Sequence, residues 1–531
     1  MKKAYFAPTA KSWCRTLAGT GVVLAACLAA VPASAETVLT SVNISDIRTT
    51  SPLEDSDGPT FEAISHVLEG LVAYDDGASI VPMLAQTYDV SQDGLDYTFH
   101  LRNGVKFHNG ATLTADDVVF AWHEYLGDTS GWRCKPDFTG KGPSKIVSID
   151  SPDARTVVFH LDKPWALFLS TMARLDCLQS GIFHRDSIGP DGKWVKAIGT
   201  GPFTFGDWKH GEYLDLVAFK DYSAREEPKT GLGGNKTPLV DKVRLLTIPD
   251  TATARAALIK GDLDIIPTLQ PADMKELQGK EHVTVKGAPG YGIAGVLFGL
   301  RPSPFTDLRV RQALAQSLDY KAIAQVAMQG LAPANNSPVP TTSPFHDDVT
   351  ATMHKTDLEA AKKLLAEAGY KGEPITLTTN NRDPFALQSS VMIQAMAKQV
   401  GINIQIETLE FGAYISRYLE GDYQIAVMGY GARLDPALTM DSIAGDRTVE
   451  KRKPWNDPAA LDLLYKSMQV SDTAERQKLF DELHRMFLDT VPMIILFNTA
   501  TAYAVRDDVE GYTAWAGATP RFWGVSKSAA K

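Results

Sequence analysis

The stretch from Asp93 to Trp122 constrains the fold more than any other part of the chain. Tyr97, Phe99 and Leu101 alternate with Thr98, His100 and Arg102, the period of a strand with one buried face. Asn103-Gly104 follows, a pair in which both turn positions tolerate positive φ. A β-hairpin is therefore predicted, with Val105 and Phe107 continuing the apolar face and Asn109-Gly110 turning the chain again. Thr114 then caps a helix, Asp117 stands where a reciprocal cap needs an acceptor, and Val118, Val119, Phe120 and Trp122 supply its apolar side. Nothing in the stretch is chemically primed; it reads as scaffold.

The run DGLDYTFHLRNGVKFHNGATLTADDVVFAW resembles the signature of the family 5 extracellular solute-binding proteins, the dipeptide-, oligopeptide- and nickel-type receptors of ABC importers. FEAISHVLEGLVAYDD, SIVPMLAQTYDV, GTGPFTFGDW and LRVRQALAQSLDYKAI extend the likeness over nearly all of the mature chain. The resemblance implies an α/β, two-lobe periplasmic binding protein fold with an extra subdomain inserted in lobe one. On that pattern residues 36–74, 201–290 and 501–531 build lobe one, 75–200 the inserted subdomain and 291–500 lobe two.

Residues 1–35 read as a signal peptide. Lys2, Lys3, Lys11 and Arg15 precede an apolar run from Leu17 to Val31 that is short for a membrane span, and Ala33-Ser34-Ala35 offers a cleavage site. Leu24-Ala25-Ala26-Cys27 also fits a lipoprotein box. The apolar residues continuing past Cys27 favour the freely periplasmic form. The formal charge of −10 becomes about −14 once this leader is removed. That balance argues against nucleic acid as a partner. Cys134 and Cys177 remain in the mature chain, and in an oxidising compartment two cysteines are expected as a disulfide, two separate buried thiols being the alternative.

Along the chain, Val38 to Ile44 reads as a first strand and Thr60 opens a helix through Phe61, Ile64, Val67 and Leu68. DKVRLLTIPDTATARAALIKGDLDII reads strand, helix, Gly261 stop and short strand, a β-α-β order that predicts parallel strands. Gly287-Ala288-Pro289-Gly290 is predicted as a turn before a crossover into the second lobe. PITLTT and INIQIETLE are predicted strands flanking a helix from Ala386 to Val400, and Tyr423 to Gly431 a buried strand. VPMIILFNTATAYAV carries the chain back towards the first lobe.

No enzyme constellation stands out. His123-Glu124 lacks a histidine four residues on, Gly-x-Ser-x-Gly is missing, and GGNKT places Asn235 where a phosphate loop needs glycine next to lysine. The 11 histidines show no metal-ligand spacing, so neither metal nor cofactor is expected.

The informative positions lie where the resemblance points to ligand contacts. Arg382, between a strand and a helix, matches an arginine that holds the ligand's carboxylate in dipeptide-binding relatives; read alone, it is a loop arginine. Tyr430 stands where relatives carry an aromatic residue. Those relatives then place an aspartate for the ligand's α-amino group, but this chain is one residue shorter there and offers Ala432 or Arg433, with Asp435-Pro436 beyond. An ammonium facing Arg433 would be repelled. Three readings stay open. The ligand has an anionic, opine-like, blocked or sugar-like end held by Arg382 and Arg433. Alternatively, Asp435 swings in as the amine partner, or Arg433 packs outward. Ser56 matches a position near the cleft mouth.

The resulting expectation is a monomeric periplasmic receptor, not an enzyme, that captures a peptide-like solute and delivers it to an ABC permease in the inner membrane. A secreted hydrolase of peptides or saccharides and a chaperone-like peptide-binding protein are the alternatives.

Overall fold

The structure is a computed structural model that describes residues 36–528 apart from 55, 56, 141, 142 and 518. The leader with Cys27, and Ser56, lie outside the described residues.

A single ten-stranded sheet runs through the molecule in the order Ile404–Leu409, Ile375–Asn380, Ile425–Tyr430, Val283–Phe298, Met493–Arg506, Ile265–Ile266, Val38–Asn43, Lys242–Thr247, Tyr213–Ala218, Phe203–Lys209. The predicted β-α-β unit is present. Val38–Asn43 pairs in parallel with Lys242–Thr247, the helix Thr251–Lys260 follows, and Ile265 returns beside Ser41. Gly261 ends that helix at φ 92°, a left-handed conformation that favours glycine. On the far side Ile375–Asn380 pairs in parallel with Ile404–Leu409 around the helix Pro384–Gln399, close to the predicted bounds.

Two long strands join these halves. Val283–Phe298 and Met493–Arg506 run antiparallel, and their register shifts between Pro289↔Ala500 and Ile293↔Asn498. The cluster Gly287–Gly290, expected as a turn, lies inside the first of these strands. Gly287 and Ala288 keep ladder partners in Ala502 and Thr501. Pro289, which has no N–H to donate, falls where the ladder slips, as a bulge allows. Buried Asn498 fixes the slip: its amide donates to the Gly292 carbonyl (3.1 Å) and its Oδ1 accepts from Asn335 (3.1 Å) and from the Thr341 N–H (3.0 Å). A Cβ at Gly292 would sit 2.3 Å from Thr499 Oγ1 and 2.8 Å from the Tyr430 carbonyl, so only glycine fits.

A separate antiparallel sheet, Ala85–Val90, Asp96–Leu101, Thr156–Leu161 and Ile146–Asp153, contains the signature stretch. Tyr97, Phe99 and Leu101 are buried, as their alternation requires. The hairpin expected at Asn103-Gly104 does not form. Asp96–Leu101 pairs instead with Ala85–Val90 across the Ser91–Leu95 turn and with Thr156–Leu161. Gly104 does turn the chain at φ 74°, but Val105 and Phe107 are pulled into the core and only Lys106 and Thr112 bridge. Burying a Phe side chain is worth about 1.5–3 kcal/mol, more than a local ladder bond contributes. Thr114 starts the helix Ala115–Leu126 as expected, with Asp117 Oδ2 accepting from both the Thr114 N–H (2.9 Å) and its hydroxyl (2.7 Å). Trp122 packs edge-on against Phe138 and Phe159, each 5.1 Å between centroids.

Cys134 and Cys177 form a disulfide (S–S 2.01 Å) that closes a loop with a sequence separation of 43. Chain-entropy arguments give a loop of that size about 4 kcal/mol of stabilisation. The Cys134→Ser/Cys177→Ser variant is expected to unfold in urea with a stability lower by about 2–5 kcal/mol. Coincident unfolding curves with and without the disulfide would contradict a stabilising role.

Candidate ligand cleft

A cavity of about 370 Å³ opens beyond the carboxyl end of Ile425–Tyr430. One wall comes from the helix Gly58–Ile64, the segment Arg174–Asp176 and Tyr74, and the other from Gly431–Leu434 and Leu438. Gly517 and Thr519 complete it. Such crevices beyond strand carboxyl ends are where open α/β sheets bind ligands.

Arg433 is a cavity residue. It follows Ile425–Tyr430, and its guanidinium is half-buried. Nη1 donates to the Ala432 carbonyl (3.1 Å), and among the described residues no carboxylate lies within ion-pairing distance. Burial lowers its pKa from the usual value, with the nearby Asp176 charge opposing. The other cavity arginine is satisfied: Arg174 donates to Asp137 (2.6 Å) and, through Nε and Nη2, to both oxygens of Asp176 (3.0 and 2.8 Å). The cavity thus holds one neutralised guanidinium and one without a counterion.

Asp435 is engaged elsewhere. Arg476 grips both its oxygens, Nη2 to Oδ1 at 2.8 Å and Nη1 to Oδ2 at 2.9 Å, and Oδ1 also caps the helix Pro436–Ile443 through the Ala437 N–H (2.9 Å). Both residues of the pair are buried, and Arg476 also lies over Phe345 and Phe480. Freeing the carboxylate for an amine would strand Arg476, at a cost of several kcal/mol.

Arg382 lies at the carboxyl end of Ile375–Asn380, outside this cavity. It is exposed and stacks 4.2 Å over the Phe411 ring, while Asn380 Oδ1 accepts from its N–H (3.0 Å) and from that of Asp383 (2.9 Å). Tyr430 ends its strand with its hydroxyl 3.3 Å from that of Tyr418, and burial raises its pKa well above the usual phenol value. The structure therefore groups Arg433 with Arg174 and Asp176, and leaves Arg382, Tyr430 and Asp435 off the cavity wall.

Two acidic groups of the cavity carried no sequence signal. Asp176 precedes Cys177 in a segment whose next three residues, Leu178, Gln179 and Ser180, all have positive φ (56°, 56° and 47°). Non-glycine residues there cost about 1–3 kcal/mol each. The segment is pinned by the disulfide and by the Gln179 N–H donating to the Arg174 carbonyl (2.9 Å). Glu62 stands on the first helix between two apolar residues, where an acid reads as surface. Elsewhere, the cluster Cys134, Asp137 and Cys177 has metal-like proximity, but its sulfurs are joined to each other. Among the described residues no helix is long and apolar enough to cross a membrane.

A continuous α/β sheet linked by two long strands, with a separate four-stranded sheet and a cavity beyond the carboxyl end of Ile425–Tyr430, defines a two-lobe fold carrying an inserted subdomain. The profile of the bacterial extracellular solute-binding proteins, family 5 middle region, matches residues 79–448, and the chain belongs to that family. It is 30% identical over 488 residues to the dipeptide-binding protein of Escherichia coli, covering 86% of this chain and 88% of that one. Heme-binding protein A of Haemophilus influenzae is 28% identical over 552 residues, covering 96% and 98%. Among solved structures, the ABC transporter substrate-binding protein CtaP of Listeria monocytogenes superposes with a TM-score of 0.81 at 22% identity, over 93% of this chain and 99% of that one.

Proposed function

We propose that this chain is the periplasmic receptor of an ABC importer, that it captures a peptide or peptide-like solute between its lobes, and that Arg433 holds the solute's anionic group. The observation that carries this reading is a half-buried guanidinium on a cavity wall with a backbone carbonyl and no carboxylate for company. Desolvating a cation without a counterion is costly, and a ligand carboxylate offsets that cost through a bidentate contact. The similarity to the dipeptide-binding protein of E. coli supports a peptide-like solute. The missing aspartate beside Tyr430 equally favours an opine-like acid with no free α-amino group.

In this reading residues 1–35 direct export, and the mature monomer delivers its cargo to an inner-membrane permease. Residues 36–74, 201–290 and 501–531 form one lobe with 75–200 inserted, 291–500 form the other, and the register slip beside Pro289 is the hinge on which they close. The binding role is preferred to hydrolysis because the family and the dipeptide-binding relative are solute-binding proteins. The cavity of about 370 Å³ suits a small solute better than a chaperone's client.

Thermal unfolding of the mature protein with free dipeptides, N-acetylated dipeptides, opines and sugar phosphates tests this. A ligand at 100 times its Kd adds about 2.7 kcal/mol, which reads as a rise of a few degrees. Stabilisation by carboxylate ligands without their turnover is expected. Stabilisation only by uncharged ligands, or their cleavage, would overturn the proposal. The Arg382→Ala variant separates the two arginines: unchanged affinity for a carboxylate ligand removes Arg382 from the site.

A further inference from the structure

A second cavity, of about 270 Å³, adjoins the first at the carboxyl ends of Val38–Asn43, Lys242–Thr247 and Ile265–Ile266. Its lining is mainly apolar, including Val42, Ile248, Ile266 and Leu269, with the exposed Ile44 among the lining residues. Gly58 and Glu62 line both cavities. We infer that Glu62, on this shared wall, is the acid that receives the ammonium group of the bound solute, with the first side chain of that solute seated in the apolar cavity beside it. The inference rests on the peptide-like reading above and names the part of the solute that Arg433 does not hold.

The geometry supports the assignment from several sides. Glu62 is half-buried, and among the described residues no cation or hydrogen-bond donor meets its carboxylate. Its backbone is fixed, because its carbonyl accepts from Ser65 Oγ (2.8 Å) and from His66 Nδ1 (2.7 Å). His66 Nε2 accepts the Phe522 N–H (3.2 Å), so the ring is held neutral with its proton on Nδ1, and burial keeps its pKa down at about 3. Among the described residues no charged neighbour forms an ion pair with Glu62. Asp57, at the head of the same helix, has the same sign. Arg255, in the apolar cavity, is held by Asp273 (3.1 Å) and Glu276 (2.7 Å). Arg174 and Asp176 hold each other on the same wall of the main cavity, Arg433 stands on the other wall, and Tyr512 is a further titratable neighbour. Burial, helped by Asp57, raises Glu62 to a pKa of about 8. An arriving ammonium would supply the missing countercharge. In a peptide the carbon that bears the ammonium also bears the first side chain, which the shared wall would direct into the apolar cavity.

Calorimetric titration of the mature protein with leucyl-alanine and with N-acetyl-leucyl-alanine, between pH 6 and 7, tests the assignment. Over that range the α-amino group stays mostly protonated, so changes report on the protein. Wild type should bind the free form at least about thirtyfold more tightly than the acetylated one. Its affinity for the free form should rise by up to about tenfold from pH 6 to 7 as Glu62 ionises. Glu62→Gln should abolish both the preference and the pH dependence, while an unchanged melting temperature reports an intact fold. If wild type prefers the free form and Glu62→Gln keeps that preference, the Glu62 assignment is overturned and the peptide-like reading survives. If wild type binds only the acetylated form, the ammonium site is overturned and the Arg433 anion reading stands. If neither compound binds, the peptide-like reading fails and the inference falls with it.

Discussion

Replacing Glu69 by alanine is expected to destabilise the protein by about 3–5 kcal/mol, because the change leaves a buried ammonium without its countercharge. Lys236 Nζ lies 2.9 Å from Glu69 Oε1, and the two side chains are 0% and 1% exposed. Thr200 and Tyr222 each donate a hydroxyl to the same carboxylate at 2.9 Å, and the ammonium sits 4.8 Å from the centre of the Trp523 ring. Glu69 precedes Gly70, Lys236 follows Asn235, and Trp523 lies near the C-terminus, so the pair ties together segments that are far apart in sequence. Lys236→Met should cost a similar amount. The double variant Glu69→Met/Lys236→Met should recover much of the loss, since the charges vanish together. It should not recover everything, because Thr200 and Tyr222 each lose an acceptor worth about 1–3 kcal/mol when buried. Urea unfolding of the four proteins measures this cycle. Equal losses that simply add in the double variant would mean that the two residues are not coupled.

This pair also shows where the sequence is legible. Lys236 belongs to GGNKT, whose spacing rules out a phosphate loop, but nothing local announces that its partner is Glu69. Local signals did well where the determinant is local. The alternation at Tyr97, Phe99 and Leu101, the Thr114–Asp117 cap and the stop at Gly261 all depend on residues within a few positions of one another. They failed where a distant segment decides. Asn103-Gly104 turns as its chemistry dictates, but the strand it was expected to pair finds better partners in Ala85–Val90 and Thr156–Leu161. Gly287–Gly290 has the composition of a turn, and the facing strand Met493–Arg506 holds it extended. In the cleft, the resemblance to the family made Arg433 conspicuous, because it stands near the place where relatives carry an aspartate. Glu62 was not, because an acid on a helix looks the same whether it faces water or the shared wall of two cavities.

Arg433→Met should weaken binding of an anionic ligand by about 2–5 kcal/mol, the cost of removing one member of a desolvated charge pair. Methionine keeps an unbranched apolar stem of similar reach, so the loss would reflect the guanidinium. Folding stability should hold or rise, because the ligand-free protein sheds a half-buried cation whose hydrogen-bond partner is one carbonyl. That opposite response of binding and stability distinguishes a recognition residue from a structural one. Arg476 supplies the contrast: its two bonds to Asp435 and one from Nε to the Ser467 carbonyl (2.9 Å) make it part of the lobe's frame, so its removal should lower stability first. Calorimetric titration and thermal unfolding on the same Arg433→Met sample measure both quantities. A variant that binds the anionic ligand as tightly as wild type would show that Arg433 points away from the solute. The anion would then have to be met by another group, and the same titration on Arg382→Ala tests whether the exposed arginine stacked on Phe411 is that group.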